Sequence, residues 1–162
     1  MKKLELAIIN FIQKAKSTNQ VGANLNQMQL DEIAKSMKMK LPKWYEKLMC
    51  ESSIINIKFE YQEYEDYKSH ISIANFKTIM NEINEAYPGV AIKELGYVNF
   101  GTCLEGSGDP IFINLKEESN PFVVRVYHDG LFFENGKIDE DSGKILANKL
   151  SVFFEKTEFL NY

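Results

Sequence analysis

Between Ile55 and Tyr61 the chain alternates without a break: Ile55, Ile57, Phe59 and Tyr61 are apolar, while Asn56, Lys58 and Glu60 are polar. A two-residue period places all the apolar side chains on one face of an extended strand, so this stretch requires a core on one side and water on the other. It cannot be buried as a helix. Whatever forms around it must cover that apolar face.

The covering elements are legible as a change of period. Leu4, Ile8, Phe11, Ile12 and Ala15 fall on one stripe of a helix, and Leu30, Ile33, Ala34 and Met37 fall on a second. Pro42 stops the second helix and starts a short third one over Trp44–Met49. After the alternating strand, Ser72 is expected to cap a helix carrying Phe76, Ile79, Met80 and Ile83, which ends at Tyr87-Pro88-Gly89. Strands are expected at Leu95–Phe100, Ile111–Leu115 and Phe122–Tyr127, the last two forming a hairpin through the loop Lys116–Asn120. A closing helix is expected to carry Leu146, Leu150, Phe153 and Phe154 on one stripe. Helices and strands are segregated rather than alternating as βαβ units, which predicts an α+β fold with an antiparallel-rich central sheet and helices packed against it.

The 162 residues match the length of one domain, and a hydrophobic content of 44% suffices for a core without disulfides or metal. One domain over 1–162 is therefore expected, with 1–24 as an N-terminal helix and connector. Cys50 and Cys103 lack CxxC spacing and are expected to be reduced thiols. Glu5, Asn10, Gln13 and Lys14 interrupt the apolar residues that follow Lys2-Lys3, so the start is expected to be an amphipathic helix rather than a secretory signal or a membrane span. A cytoplasmic location is the corresponding expectation. The net charge of -4 disfavours general binding to nucleic acid phosphates and favours a basic partner.

Three segments occur in a recognisable order: Leu41-Pro42-Lys43-Trp44-Tyr45-Glu46-Lys47-Leu48, Gly106-Ser107-Gly108-Asp109-Pro110-Ile111-Phe112-Ile113, and Ala147-Asn148-Lys149-Leu150-Ser151-Val152-Phe153-Phe154. Over about residues 25–156 this resembles the SUKH superfamily, which has a proline-led helix, a glycine and aspartate turn leading into an aliphatic strand, and a terminal aromatic helix. Met49-Cys50-Glu51-Ser52-Ser53 stands where that family often has an Asn-Gly-Gly turn, and Lys149-Leu150 stands for its usual serine and phenylalanine. The resemblance implies an immunity protein that binds a cognate bacterial toxin, often a nuclease, and blocks its active site. A regulatory or adaptor module with a cellular partner is the alternative it implies.

The chemistry-bearing residues predict binding rather than catalysis. Gly106 and Gly108 permit positive φ, Asp109 can accept from nearby amides and Pro110 starts an aliphatic strand, so this is expected to be a structural turn and not a phosphate loop, which would need a helix behind it. His70 and His128 are the only histidines. Cys103 with His128 could form a nucleophile and base, but no catalytic signature flanks Cys103, and His128-Asp129-Gly130 has the composition of a strand end and tight turn. No metal-ligand spacing occurs, and no cofactor is expected. The carboxylates cluster as Glu63, Glu65, Asp66; Glu117, Glu118; and Asp139, Glu140, Asp141, all expected in water.

One segment exceeds ordinary surface. From Phe59 to Tyr67 four aromatic residues interleave with four acids. Tyrosine supplies contact area at low entropic cost, and carboxylates steer a basic partner. The alternation is expected to decay after Tyr61, leaving Glu63, Tyr64, Glu65, Asp66 and Tyr67 exposed as partner contacts, with Asp139–Asp141 as the next candidate.

Overall fold

The structure, a computed structural model, describes residues 2–106, 108–117, 119–129 and 141–159. Helix α1 (Lys2–Ser17) buries Leu4, Ala7, Ile8, Phe11 and Ala15. Helix α2 (Gln27–Met37) starts from a capping box: Asn26 Oδ1 accepts from the Gln29 amide at 2.9 Å, and Gln29 Oε1 accepts from the Asn26 amide at 3.0 Å. Two otherwise unsatisfied amides are thereby paired. Pro42 is the N-cap of α3 (Lys43–Glu51), which buries Tyr45, Leu48 and Met49.

The alternation from Ile55 to Tyr61 is reproduced in burial, but the strand is shifted: β1 is Lys58–Tyr64. Asn56 has a φ of +66°, which interrupts the extended run, and Ile55 forms only an isolated bridge with Ala23. The connector after α1 therefore lies beside β1. There the Gln20 side chain donates to the Lys58 carbonyl and accepts from its amide, both at 2.8 Å.

The sequence expectation missed the strand that follows. β2 (Tyr67–Ile73) pairs antiparallel with β1 and β3, and it buries Ser69, Ile71 and Ile73 on one face. Ser72 is thus a strand residue and not a helix cap. The cap of α4 (Phe76–Asn84) is Asn75, whose Oδ1 accepts from the Thr78 amide at 3.0 Å. After α5 (Gly89–Ile92) and a 3-10 turn (Lys93–Leu95), Gly96 at φ +97° reverses the chain. The next strand, β3 (Tyr97–Cys103), begins two residues later than Leu95 for that reason. β4 (Pro110–Asn114) and β5 (Val123–Val126) follow.

The closing helix is also corrected. Leu146 belongs to β6 (Gly143–Ala147), and only Leu150, Phe153 and Phe154 of the expected stripe lie on α6 (Leu150–Glu155). Leu146 and Leu150 are four residues apart, a helical offset produced here by a strand followed by a turn. A two-residue strand, β7 (Thr157–Glu158), ends the described chain.

The described strands join one antiparallel sheet in the order β6-β5-β4-β3-β2-β1-β7, so the fold is α+β with helices packed on a sheet. Five strand spacings separate β6 from β1, roughly 24 Å if the sheet were flat. Yet the Tyr61 hydroxyl on β1 donates to the Leu146 carbonyl on β6 at 2.5 Å. The sheet therefore curls until these two strands meet. Burial, and secondarily the Glu63 charge, pushes the Tyr61 phenol up to about 12, which keeps it a neutral donor.

The concave face holds the main core. Phe153 of α6 stacks on Tyr61 with ring centroids 4.8 Å apart and packs edge-on against Phe59 and Phe100, while Phe11 brings α1 onto Phe154 at 4.8 Å. A second, smaller cluster of Ile92, Tyr97, Phe112, Val124 and Val126 lies on the other face of β3–β5. This explains why β4 and β5 carry apolar residues on both faces, Arg125 excepted: both their faces are covered.

Phe153 is wholly buried against the rings of Phe59 and Tyr61 of β1, Phe100 of β3 and Phe154 of α6, so Phe153→Ala leaves a cavity at the centre of the curl. A loss of about 3–5 kcal/mol in a denaturant titration is expected. A change near zero would show that α6 is not docked.

Candidate partner-binding site

The β1–β2 hairpin turns through two residues, Glu65 and Asp66, with Tyr64 opposite Tyr67. Between Gln62 and Tyr64 the register slips, so Glu63 is an extra residue on β1. Such a bulge re-aims a side chain. Glu63 nevertheless keeps the inward side of Phe59 and Tyr61, where its side chain is only 2% exposed.

This overturns the expectation that Glu63 is a surface contact. Its Oε1 meets Arg125 Nη2 of β5 at 2.5 Å, its Oε2 lies 3.4 Å from Lys144 Nζ of β6, and the Ser69 hydroxyl of β2 donates to it. Ser69 also accepts from Arg125 Nη2 at 3.1 Å. One carboxylate thus bridges four strands. The alternation does not decay after Tyr61; position 63 keeps the inward parity with a charge that two cations compensate. The detectable signal was Arg125, a cation inside the apolar run Val123–Val126, which needs a buried anion.

Beyond this base the tip is exposed. Tyr64 and Tyr67 are 59% and 46% accessible, and Glu65 and Asp66 are exposed between them. Lys144 Nζ stands 3.2 Å from the Tyr64 ring centroid, and the Gln62 amide donates to the carbonyls of Tyr64 and Glu65. The tip therefore presents two tyrosines and two carboxylates on a turn that is braced from below. Of the five residues expected to make partner contacts, four are placed together at the surface. Asp139 and Glu140 lie outside the described residues, and Asp141 is exposed.

The other chemistry-bearing residues are arranged as follows. Gly106 and Gly108 adopt φ of +64° and +70°. Asp109 Oδ1 accepts from the His128 amide at 3.1 Å and meets His128 Nδ1 at 2.8 Å, tying the turn before β4 to the end of β5. Cys103 is buried, and its thiol forms no hydrogen bond with His128. Gly130 lies outside the described residues. Among the described residues no group of His, Cys, Asp and Glu has the geometry of a metal site, and no helix is long and apolar enough to cross a membrane.

Carboxylates outside the expected solvated clusters are not all in water. Glu82 on α4 is buried, accepts from the Gly89 amide at 3.2 Å, and is pushed above the usual carboxylate range by that burial. Glu60 is 12% exposed and sits 2.9 Å from His70 Nε2, while Glu105 meets His70 Nδ1 at 2.5 Å. Carboxylates only accept, so both ring nitrogens must donate and the imidazole is held as its cation. The hydrogen bond with Glu105, then that with Glu60, raises the His70 pKa above its ordinary 6.5.

Two predictions follow from this geometry. Glu63→Gln leaves Arg125 and Lys144 facing each other in the interior without an anion, and a loss of about 3–5 kcal/mol is expected from chemical denaturation. Glu63→Leu combined with Arg125→Met should lose less than Glu63→Gln alone; an equal or larger loss would mean that the ion pair is not what holds the seam. For His70 the folded pKa is the higher one, so its stabilisation is complete below about 6.5 and fades as pH rises through the folded value. Between about pH 6 and about pH 8 the melting temperature of the parent chain should fall relative to that of His70→Gln. Parallel pH profiles would rule out the paired imidazolium.

Comparisons with models of known protein families, with curated proteins and with solved structures find no match.

Proposed function

We propose that this protein works by binding another protein, as an immunity protein that covers the active site of a cognate toxin bearing a basic surface. The observation that carries this reading is the hairpin tip, where exposed Tyr64 and Tyr67 flank exposed Glu65 and Asp66. Large amphipathic rings and exposed acids on a braced turn suit a surface already ordered before contact, which lowers the entropic cost of binding. The resemblance to the SUKH superfamily supports the choice of a toxin as partner. The excess of acids over bases in the whole chain supports a basic one.

The tip separates two measurable effects. Charge reversal by Glu65→Lys with Asp66→Lys should slow association about tenfold or more at low salt and flatten its salt dependence, since steering acts on the on-rate. Tyr67→Ala should act on the off-rate, raising it about thirtyfold if the ring is a hot spot worth about 2 kcal/mol. Stability should change by only about 0.5 kcal/mol in either variant because neither site is buried. The assay is kinetic binding to a toxin encoded beside this gene, together with survival on co-expression. Unchanged kinetics in both variants would move the interface away from the tip, and binding without protection would favour the adaptor reading.

A further inference from the structure

The outer face of the same hairpin carries a second recognition feature. Glu60 of β1 and Glu105, in the connector between β3 and β4, stand on either side of His70 and line a cleft of about 530 Å³ with Gln20, Lys58 and Leu104. Among the described residues the charged side chains around the imidazole are Glu60, Glu105, Lys58, Lys68 and Glu158. Lys58 lies on the cleft wall, and Lys68 of β2 reaches Glu60 at 3.5 Å and Glu158 of β7 at 2.6 Å. With His70 protonated, the three carboxylates are balanced by two lysines and the imidazolium. With His70 neutral, one negative charge is left over.

We propose that this cleft is a recognition site for a basic side chain of the protein partner, an arginine or lysine, and that the protonated His70 occupies it as a removable internal substitute. A neutral imidazole keeps one N–H and turns a lone pair toward the other carboxylate, which repels it and needs a new donor. Glu105 is the group free to respond: its side chain is 47% exposed and lies on a connector, whereas Glu60 is 12% exposed and held by Lys68. A guanidinium or ammonium entering from the cleft supplies the missing donors and the missing positive charge. Proton and ligand then compete for one place, so the cation binds more tightly as pH rises. The raised pKa of His70 agrees with a site that favours a cation in this position. The source of the basic side chain rests on the reading of this protein as a binder of a basic protein; the cleft's preference for a cation does not.

The test uses the full chain and a small probe, N-acetyl-arginine amide, followed by NMR at the His70 imidazole and the Leu104 and Glu105 amides. At about pH 8.5 the probe should shift these resonances with an affinity about tenfold higher than at about pH 5.5. The isosteric neutral probe, N-acetyl-citrulline amide, should shift none of them. His70→Gln should abolish the pH dependence, and Glu105→Gln should weaken binding at about pH 8.5 by about tenfold. Equal affinity at the two pH values, or equal shifts with the citrulline probe, would overturn the proposal for the parent chain whether or not either variant folds. No binding of the candidate toxin by the parent chain, with probe binding intact, would instead remove the partner reading and leave the cation site standing.

Discussion

Closing a seven-stranded sheet on itself brings strands from distant parts of the chain together, and in this protein the meeting point is electrostatic. Arg125 cannot reach water from the middle of β5, so its burial is tolerable only beside an anion with good geometry. Glu63 is that anion, placed at a bulge near the end of β1 and shared with Lys144 and Ser69. The Arg125 Nε finds no acceptor among the described residues, so part of the cost of burying this guanidinium stays uncompensated and the pairing with Glu63 carries the rest.

The seam and the aromatic core depend on each other. Tyr61 belongs to both: its ring stacks on Phe153, and its hydroxyl donates across the gap to Leu146. With Phe153 withdrawn, the curled sheet would enclose a void; with the seam opened, α6 would lose one wall of its site. Interiors are packed closely enough that neither change can be absorbed by small local shifts. The outer margin of β1 is finished by lighter means. Gln20 pairs with Lys58 as a strand would, and β7 pairs with Glu60 and Tyr61. An edge that would otherwise invite another chain is covered along these positions.

The sequence was most informative where one face alone is buried. Helices α1, α2 and α3 were legible from period and from Pro42, and the inward residues Ile57, Phe59 and Tyr61 from alternation. β2 escaped notice because its outward residues, Lys68, His70 and Ser72, and its inward Ser69 dilute the apolar pattern to two isoleucines. Leu146 was misplaced because a strand residue and a helix residue happened to stand four apart. At the candidate site, Tyr64, Glu65, Asp66 and Tyr67 were legible as surface because nothing apolar surrounds them. Glu63 was not, since a buried carboxylate is identified by its partners, and Arg125 and Lys144 are more than sixty residues away in sequence. The Glu60–His70–Glu105 arrangement was hidden for the same reason.

The two-residue turn at Glu65 and Asp66 has a consequence for how such a protein can change over generations. The side chains that hold the hairpin, Tyr61, Glu63 and Ser69, point inward, while those at the turn itself point to water. Effects of substitutions at separated, non-contacting positions tend to add rather than interact. The turn can therefore be rewritten in charge and shape while the fold keeps its stability.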